Sequence, residues 1–366
     1  MEIYEIETPA LLLDKQILLK NIKDMAEMAE KYGVKLRPHI KAHKCSQIAN
    51  LQMENGAVGI TVAKLGEAEV MLEAGVKNIV IAYQLVDEAK LKRLKALMEK
   101  GADITCLVDN IEQVILLDHF GEKNNLVIAV YAEIDSGLKR TGLQPDDIVD
   151  FVEKLIKFKN IKFSGLLTHA GHVYGAQRDK VALIGQEEGQ IMERVNQALV
   201  KAGIFPPEVS VGSTPTVRYS ASNPKVTEIR PGNYVFNDAI QIGLGVAALS
   251  DCSLKVLATV ISKPAADRLV IDAGSKTLAL DKGAHGTELV KGFGIIEGYP
   301  NLTIERLSEE HGIVLAEEGN VPEIGDKIAI IPNHACPVVN LADEMMIVEG
   351  SKVLGKWQID ARGKNK

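Results

Sequence analysis

Residues 78–109 read NIVIAYQLVDEAKLKRLKALMEKGADITCLVD. Two runs within this stretch, NIVIAY (78–83) and ITCLVD (104–109), are almost wholly apolar and rich in Ile and Val. Strands buried on both faces have that composition. Between them, VDEAKLKRLKALMEKG spaces its apolar residues at three and four and ends in Gly, a common helix stop. Strand, helix, strand in this order is the unit of a parallel sheet.

The unit repeats in both directions. Further apolar runs read KLRPHI (35–40), GITVA (59–63), LVIAVYAEID (126–135), FSGLLTHAG (163–171), EVSVGS (208–213) and EIRPGNYVF (228–236). The segments SQIANLQMENG, LGEAEVMLEAG, DNIEQVILLDHFG and PDDIVDFVEKLIKF carry helical spacing, and the longest helical stretch ends at Gly203. Strands and helices alternating in this way between residues 35 and 240 predict a (β/α)8 barrel. An open doubly wound sheet is the competing reading, but such sheets less commonly hold so many parallel strands.

After residue 245 the pattern changes. CSLKVLATVIS, DRLVIDAG, LTIERLS, GIVLAE, DKIAIIP, EMMIVE and KVLGKWQI read as strands with turns between them and few helices. A barrel over 15–245 and a C-terminal β-rich domain over 246–366 are expected. The N-terminal residues 1–14, which include PALLLD (9–14), join that second domain or cap the barrel.

The chain has 366 residues, 46% apolar and 25% charged, with net charge −7. That balance disfavours nucleic acid and acidic membranes as partners, and no basic tract with interleaved aromatics is present. The start, MEIYEIETPALLLDK, is acidic rather than signal-like, and no apolar run is long enough to span a membrane. Cys45, Cys106, Cys252 and Cys336 are too scattered for a disulfide framework. Reduced thiols and a cytoplasmic location are the expectation.

Chemistry in such barrels sits at the C-terminal ends of the strands. There the chain places Arg37-Pro38-His39-Ile40-Lys41-Ala42-His43-Lys44, Asp135 to Gly142 with Arg140, His169-Ala170-Gly171-His172-Val173-Tyr174, Gly212-Ser213-Thr214-Pro215 and Gly232-Asn233-Tyr234. Loops after the last two strands often bind phosphate, and Gly-rich backbone with two hydroxyls suits one. Lys41 faces that site across the mouth. Arg37, His39, His43 and Lys44 crowd it in sequence, and neighbouring cations lower a lysine's pKa and make it a nucleophile. Singly, each piece has a plainer reading: a turn, a solvated lysine, a hydrogen-bonded core histidine. Their convergence at one mouth carries the functional reading.

A second signal is Pro332-Asn333-His334-Ala335-Cys336-Pro337. On an extended segment, residues i and i+2 share a face, so His334 and Cys336 can ligate one metal. Thiolate with imidazole favours zinc, with manganese or magnesium as alternatives. A core cysteine beside a structural histidine is the competing reading.

RPHIKAHK (37–44) with the His-x-Cys pair resembles the D-threonine aldolase and D-serine dehydratase family, fold-type III pyridoxal-phosphate enzymes related to alanine racemase. ETPALLLD, EIDSGLKRTG, THAGHVYG, VGSTPT, RPGNY, LVIDAG, SEEHG, PNHACP and the tail KWQIDARG extend the resemblance over nearly the whole chain. It implies pyridoxal 5′-phosphate as a Schiff base on Lys41, Arg140 near the pyridine nitrogen, and His169 and Tyr174 lining the cofactor. It also implies that Ser213, Thr214, Gly232 and Asn233 hold the phosphate with Tyr234 nearby, that His334 and Cys336 bind a divalent metal, and that two copies form a homodimer.

The implied activity is a lyase acting on D-β-hydroxy-α-amino acids. Proton loss from the β-hydroxyl would split D-threonine into glycine and acetaldehyde. Loss of the Cα proton to Lys41 would instead turn D-serine into pyruvate and ammonia. The aldolase outcome is slightly favoured by the tail and by SKPAADRLVIDAG, whereas His-x-Cys, GSTP and HxGxxYG lean to the dehydratase. His39, His43, His172 and His311 are candidate bases. An amino-acid racemase, a non-catalytic cofactor-binding protein and a sugar-phosphate enzyme are the competing functions.

Overall fold

Each apolar run of the first two thirds becomes a strand of one parallel sheet in the computed structural model, which describes residues 1–283 and 289–366. In chain order the elements begin β1 (Ala10–Asp14), α1 (Lys15–Tyr32), β2 (Lys35–Leu36), α2 (Ser46–Glu54), β3 (Ile60–Val62), α3 (Leu65–Glu73), β4 (Asn78–Gln84) and α4 (Glu88–Glu99). They continue with β5 (Asp103–Val108), α5 (Ile111–Asn124), β6 (Ile128–Ile134), α6 (Ile148–Leu155), β7 (Ile161–Thr168), α7 (Val181–Lys201), β8 (Val209–Val211), α8 (Val217–Ser220), β9 (Glu228–Ile229) and α9 (Ala239–Gly243). The sheet runs β2-β9-β8-β7-β6-β5-β4-β3, every pair parallel. A parallel bridge between His39 and Thr61 joins its two edges, with the Thr61 N–H donating to Pro38 O at 2.8 Å. The sheet is therefore the expected (β/α)8 barrel and not an open one.

Local chemistry explains the helix limits. Asp14 caps α1 by accepting from the N–H groups of Gln16 and Ile17, both at 3.0 Å. The helix stops at Gly33, which takes the left-handed conformation at φ 65°.

The barrel interior holds a buried polar chain. Arg37 Nε donates to Glu228 Oε2 at 2.6 Å and its Nη1 donates to Asn78 Oδ1 at 2.6 Å. Ser210 Oγ donates to Glu228 Oε1 at 2.6 Å, and Arg230 Nη1 donates to Ser210 Oγ at 2.7 Å. A second nitrogen of Arg230 donates to Thr168 O. Buried charges persist when paired in this way.

The remaining elements are β10 (Leu254–Ala265), β11 (Arg268–Ile271), α10 (Ser275–Leu278), β12 (Ile295–Ile296), β13 (Leu302–Leu307), β14 (Gly312–Ala316), β15 (Lys327–Ile331), α11 (Ala335–Leu341), β16 (Glu344–Glu349) and β17 (Lys352–Gln358). The strands among them form a mixed sheet ordered β13-β14-β11-β10-β1-β16-β17, with β15 also on β10 and β12 on β15. Thus β1 is a strand of this sheet, antiparallel to β10 and parallel to β16. After β17 the chain returns to the barrel, where Ala361 N–H donates to Lys44 O at 2.9 Å. One continuous apolar core includes Leu13, Val256 and Met345 from this sheet and Ile60, Ile79 and Val130 from the barrel.

Cys45, Cys106 and Cys252 are buried free thiols, Cys336 is half-buried, and the described residues contain no disulfide. Among them no helix is long and apolar enough to cross a membrane.

Candidate active site

The barrel mouth opens into a cavity of about 920 Å3. Lys41 enters it from a 3-10 turn, Ile40–Ala42, that continues the line of β2. Its side chain is open to the cavity, whose walls are dense enough that desolvation acts on the amine. Burial lowers its pKa; Cys336 and Glu67 oppose that, while Arg140 and Arg230 add to it. The cations acting on Lys41 are therefore not those adjacent in sequence. Arg37 is paired with Glu228 inside the barrel, and Lys44 donates to buried Glu67 at 2.7 Å. His39 alone of the four shares the cavity with Lys41, its Nδ1 accepting from Lys41 N–H at 3.4 Å.

His39 and His169 are both kept neutral. Burial first, then the charge of Lys41, hold each well below the ordinary histidine value. His169 Nδ1 lies 3.1 Å from Gly212 O, which fixes its ring.

The loops after β8 and β9 meet where the phosphate was expected. Tyr234 N–H donates to Thr214 Oγ1 at 3.1 Å and joins them. The N–H of Gly212 is taken by Glu188 Oε1 at 2.9 Å and that of Ser213 by Thr216 Oγ1 at 3.2 Å. Those of Thr214, Gly232 and Asn233 donate to no other described residue. A Cβ on Gly232 would lie 3.0 Å from His39 O, so any larger residue would crowd the His39 backbone there. Three free amides on a glycine-cleared surface fit a phosphate group, and a cavity of this size fits an aromatic cofactor.

Two arginines line the cavity. Arg230 is buried and pinned by Ser210 and Thr168; Arg140 is exposed. Glu133 lines the same cavity, its carboxyl raised by burial, and accepts from Gln84 Nε2 at 2.6 Å.

His334 and Cys336 reach the same cavity. They sit on no extended segment: His334 is the extended N-cap of α11 and Cys336 is already in its first turn. Although burial opposes its charge, Cys336, Asp281 and Asp238 push His334 up to about 10. His334 Nδ1 is buried without a hydrogen bond among the described residues, and lies 3.7 Å from Asp281 Oδ1. Two soft-to-borderline donors in an anionic surround fit a divalent cation. No third His, Cys, Asp or Glu among the described residues completes the set, so other positions would fall to water or substrate.

Of the residues singled out in sequence, His39, Lys41, Arg140, His169, Tyr174, Ser213, Thr214, Gly232, Asn233, His334 and Cys336 all line this one cavity. His43 and Tyr234 do not. His43 lies behind the turn, its Nε2 3.2 Å from Gln52 Oε1, while Gln52 Nε2 donates to Tyr234 Oη at 2.9 Å. Nor do His172, whose ring packs against Gly137, or His311, in the turn between β13 and β14.

Comparison with known proteins follows this geometry. Residues 13–239 match the alanine racemase N-terminal domain and 253–348 the putative serine dehydratase domain. D-threonine aldolase of Arthrobacter sp is 33% identical over 98% of this chain and 93% of its own length. The chain belongs to the D-threonine aldolase and D-serine dehydratase family. Within it, D-threo-3-hydroxyaspartate dehydratase of Delftia sp. (strain HT23) is 32% identical over 90% of this chain and 91% of its own. The solved D-threonine aldolase from Filomicrobium marinum superposes with a TM-score of 0.91 at 31% identity, covering 100% of this chain and 98% of that one. Alanine racemase from Clostridium difficile, at 15% identity and a TM-score of 0.72, shares the fold alone.

Sequence reasoning missed Arg230, Glu133, Glu188 and Asp238. Glu188, on α7, is buried under the phosphate loops, and its Oε1 also accepts from Ala170 N–H at 3.2 Å. Asp238 Oδ2 accepts from Ala335 N–H at 3.0 Å, which ties α11 to the barrel. Arg230 and Asp238 stand beside motif residues and could have been found there. The two glutamates read as ordinary strand and helix charges.

Proposed function

We propose that this family member is a lyase for D-β-hydroxy-α-amino acids of the D-threonine aldolase type, dependent on pyridoxal 5′-phosphate and a divalent metal. One observation carries the reading: Lys41, from the start of the barrel, and His334 with Cys336, from the other domain, border one cavity.

Lys41 would carry the cofactor, and its lowered pKa supplies the neutral amine that attack on a carbonyl needs. Thr214, Gly232 and Asn233 would hold the phosphate through their free amides, with Ser213 beside them. Arg230 suits the pyridine nitrogen better than Arg140 because a buried, doubly held guanidinium stays fixed there. Tyr174 and His169 would flank the ring. When bound, the cofactor accepts the electron pair released at Cα and the metal polarises the substrate hydroxyl. His39 and His169, neutral in the cavity, can each take a proton from that hydroxyl. His334 and Cys336 would hold the metal, zinc by preference. A solved D-threo-3-hydroxyaspartate dehydratase variant described as metal-free, 30% identical with a TM-score of 0.91, supports metal binding in that protein.

The dehydratase outcome is the second reading, favoured by the Lys41 amine, which can remove the Cα proton, and by relatives such as D-serine dehydratase of Dictyostelium discoideum at 31% identity. Product analysis with D-threonine and D-serine, with EDTA and then with zinc or manganese, decides. Glycine and acetaldehyde identify the aldolase; 2-oxobutanoate or pyruvate with ammonia identifies the dehydratase. Interconversion of D- and L-alanine without metal would overturn both.

A further inference from the structure

The tail is tied both to the segment that follows Lys41 and to the α11 region that begins with His334 and Cys336. Ala361 N–H donates to Lys44 O at 2.9 Å, just behind the Lys41 turn. The Asp360 carboxylate accepts from Ser46 N–H at 2.9 Å and from Ser46 Oγ at 2.6 Å. Cys45, which precedes α2, offers that helix no side-chain cap, so Asp360 supplies it from the far end of the chain. Lys44 Nζ reaches Asn365 Oδ1 at 3.3 Å besides Glu67. Gly66 N–H, at the start of α3, donates to Lys366 O at 2.8 Å. On its other side the tail holds the C-terminal end of α11: Gly363 N–H donates to Asn340 Oδ1 at 3.1 Å, and Ile359 N–H to Asp343 O, just past the helix, at 2.8 Å. Ile359 and Ala361 are buried, which anchors the strap.

The held turn needs holding. Lys44 takes φ 51°, a conformation that side chains avoid. It does so with its charge buried against Glu67, the same carboxylate that acts on Lys41.

We infer that residues 359–366 are a positioning strap that sets the Lys41 turn relative to α11, the helix whose N-terminal end carries His334 and Cys336. Asp360, Ala361 and Asn365 touch no reacting atom; they act through Lys44, Ser46 and α11. The inference rests on Lys41 carrying pyridoxal phosphate, but the strap itself can be tested without that.

Three full-length proteins decide: wild type, Asp360→Ala and Asp360→Asn, with a fourth chain ending at Gly363. Amide hydrogen exchange at Ala42–Ser46 is expected to quicken at least tenfold in Asp360→Ala and in the shortened chain, with β4–β7 unchanged. Asp360→Asn, which keeps an oxygen for Ser46, is expected to restore protection. The rate at which added pyridoxal phosphate forms its borohydride-sensitive absorbance on Lys41 should fall by a similar factor and recover in Asp360→Asn. Unchanged exchange in all variants overturns the strap. Faster exchange with an unchanged absorbance rate overturns its positioning role. If wild type itself forms no such absorbance, the cofactor reading fails, and the exchange result still judges the strap.

Discussion

Lys41 owes its chemistry to groups that are remote in sequence. Arg140 and Arg230 lower its pKa together with burial, whereas its charged neighbours Arg37 and Lys44 are occupied elsewhere. Removing the exposed Arg140 as Arg140→Gln should therefore raise the Lys41 pKa. The pH at which the protein captures pyridoxal phosphate at half its maximal rate should move upward; a shift to lower pH would contradict the assignment. Cys336→Ala should leave cofactor absorbance intact and cost activity about tenfold or more, a range typical when metal sites lose support, with excess zinc giving no rescue. His43 illustrates a residue role that sequence could not disclose. RPHIKAHK places it two residues from Lys41, but the 3-10 turn swings it onto Gln52 at the back, where burial lowers it to about 4. Its folded pKa lies below its unfolded value, so stability is full above about pH 6.5 and is lost as pH falls toward 4. That window is worth up to about 3 kcal/mol. Thermal denaturation across it should show a shallower acid-side loss in His43→Gln than in wild type.

At the scale of elements, the apolar runs were readable because a strand buried on both faces can hold little else. Each of the eight became a strand, although KLRPHI and EIRPGNYVF contribute only two strand residues apiece before turning into site loops. The loops were legible as Gly-rich punctuation but their hydrogen bonding was not. Gly212 seemed to offer an amide for phosphate, and Glu188 from α7 already occupies it. On a helix an acidic residue ordinarily marks the solvated face; this one is buried because two backbone amides converge on it. Glu188→Ala should strand both amides and cost about 1–3 kcal/mol of stability, read from denaturant midpoints, while weakening pyridoxal-phosphate retention on dialysis. The Lys44–Glu67 pair, likewise invisible in sequence, predicts a larger effect. Lys44→Met leaves Glu67 buried without its counter-charge, held by the N–H groups of Ala63 and Lys64, and about 3–5 kcal/mol should be lost. A loss below 1 kcal/mol would show that water reaches the carboxylate.

On the scale of the molecule, the barrel and the mixed sheet are not two beads. Their apolar cores are continuous, and β1 sits between β10 and β16. Proteins that bind a cofactor only when folded gain stability from it by mass action. Cofactor and zinc should therefore raise the melting temperature of one cooperative transition and leave no separate unfolding step for either part. Two resolved transitions in calorimetry would show that the shared core does not couple them.

The placement of β1 has a consequence for biosynthesis. Leu11, Leu12 and Leu13 are translated before the barrel, yet the strands that flank them, β10 and β16, are translated only after it. At about 5–20 residues per second, the nascent chain carries that apolar, unpaired edge for tens of seconds. The barrel can assemble in the meantime, but its first helix is continuous with a strand still waiting for partners. Expression slowed by rare codons after β9 would lengthen this interval, and the yield of soluble protein would then depend on holdase chaperones that cover the leucines until synthesis is complete.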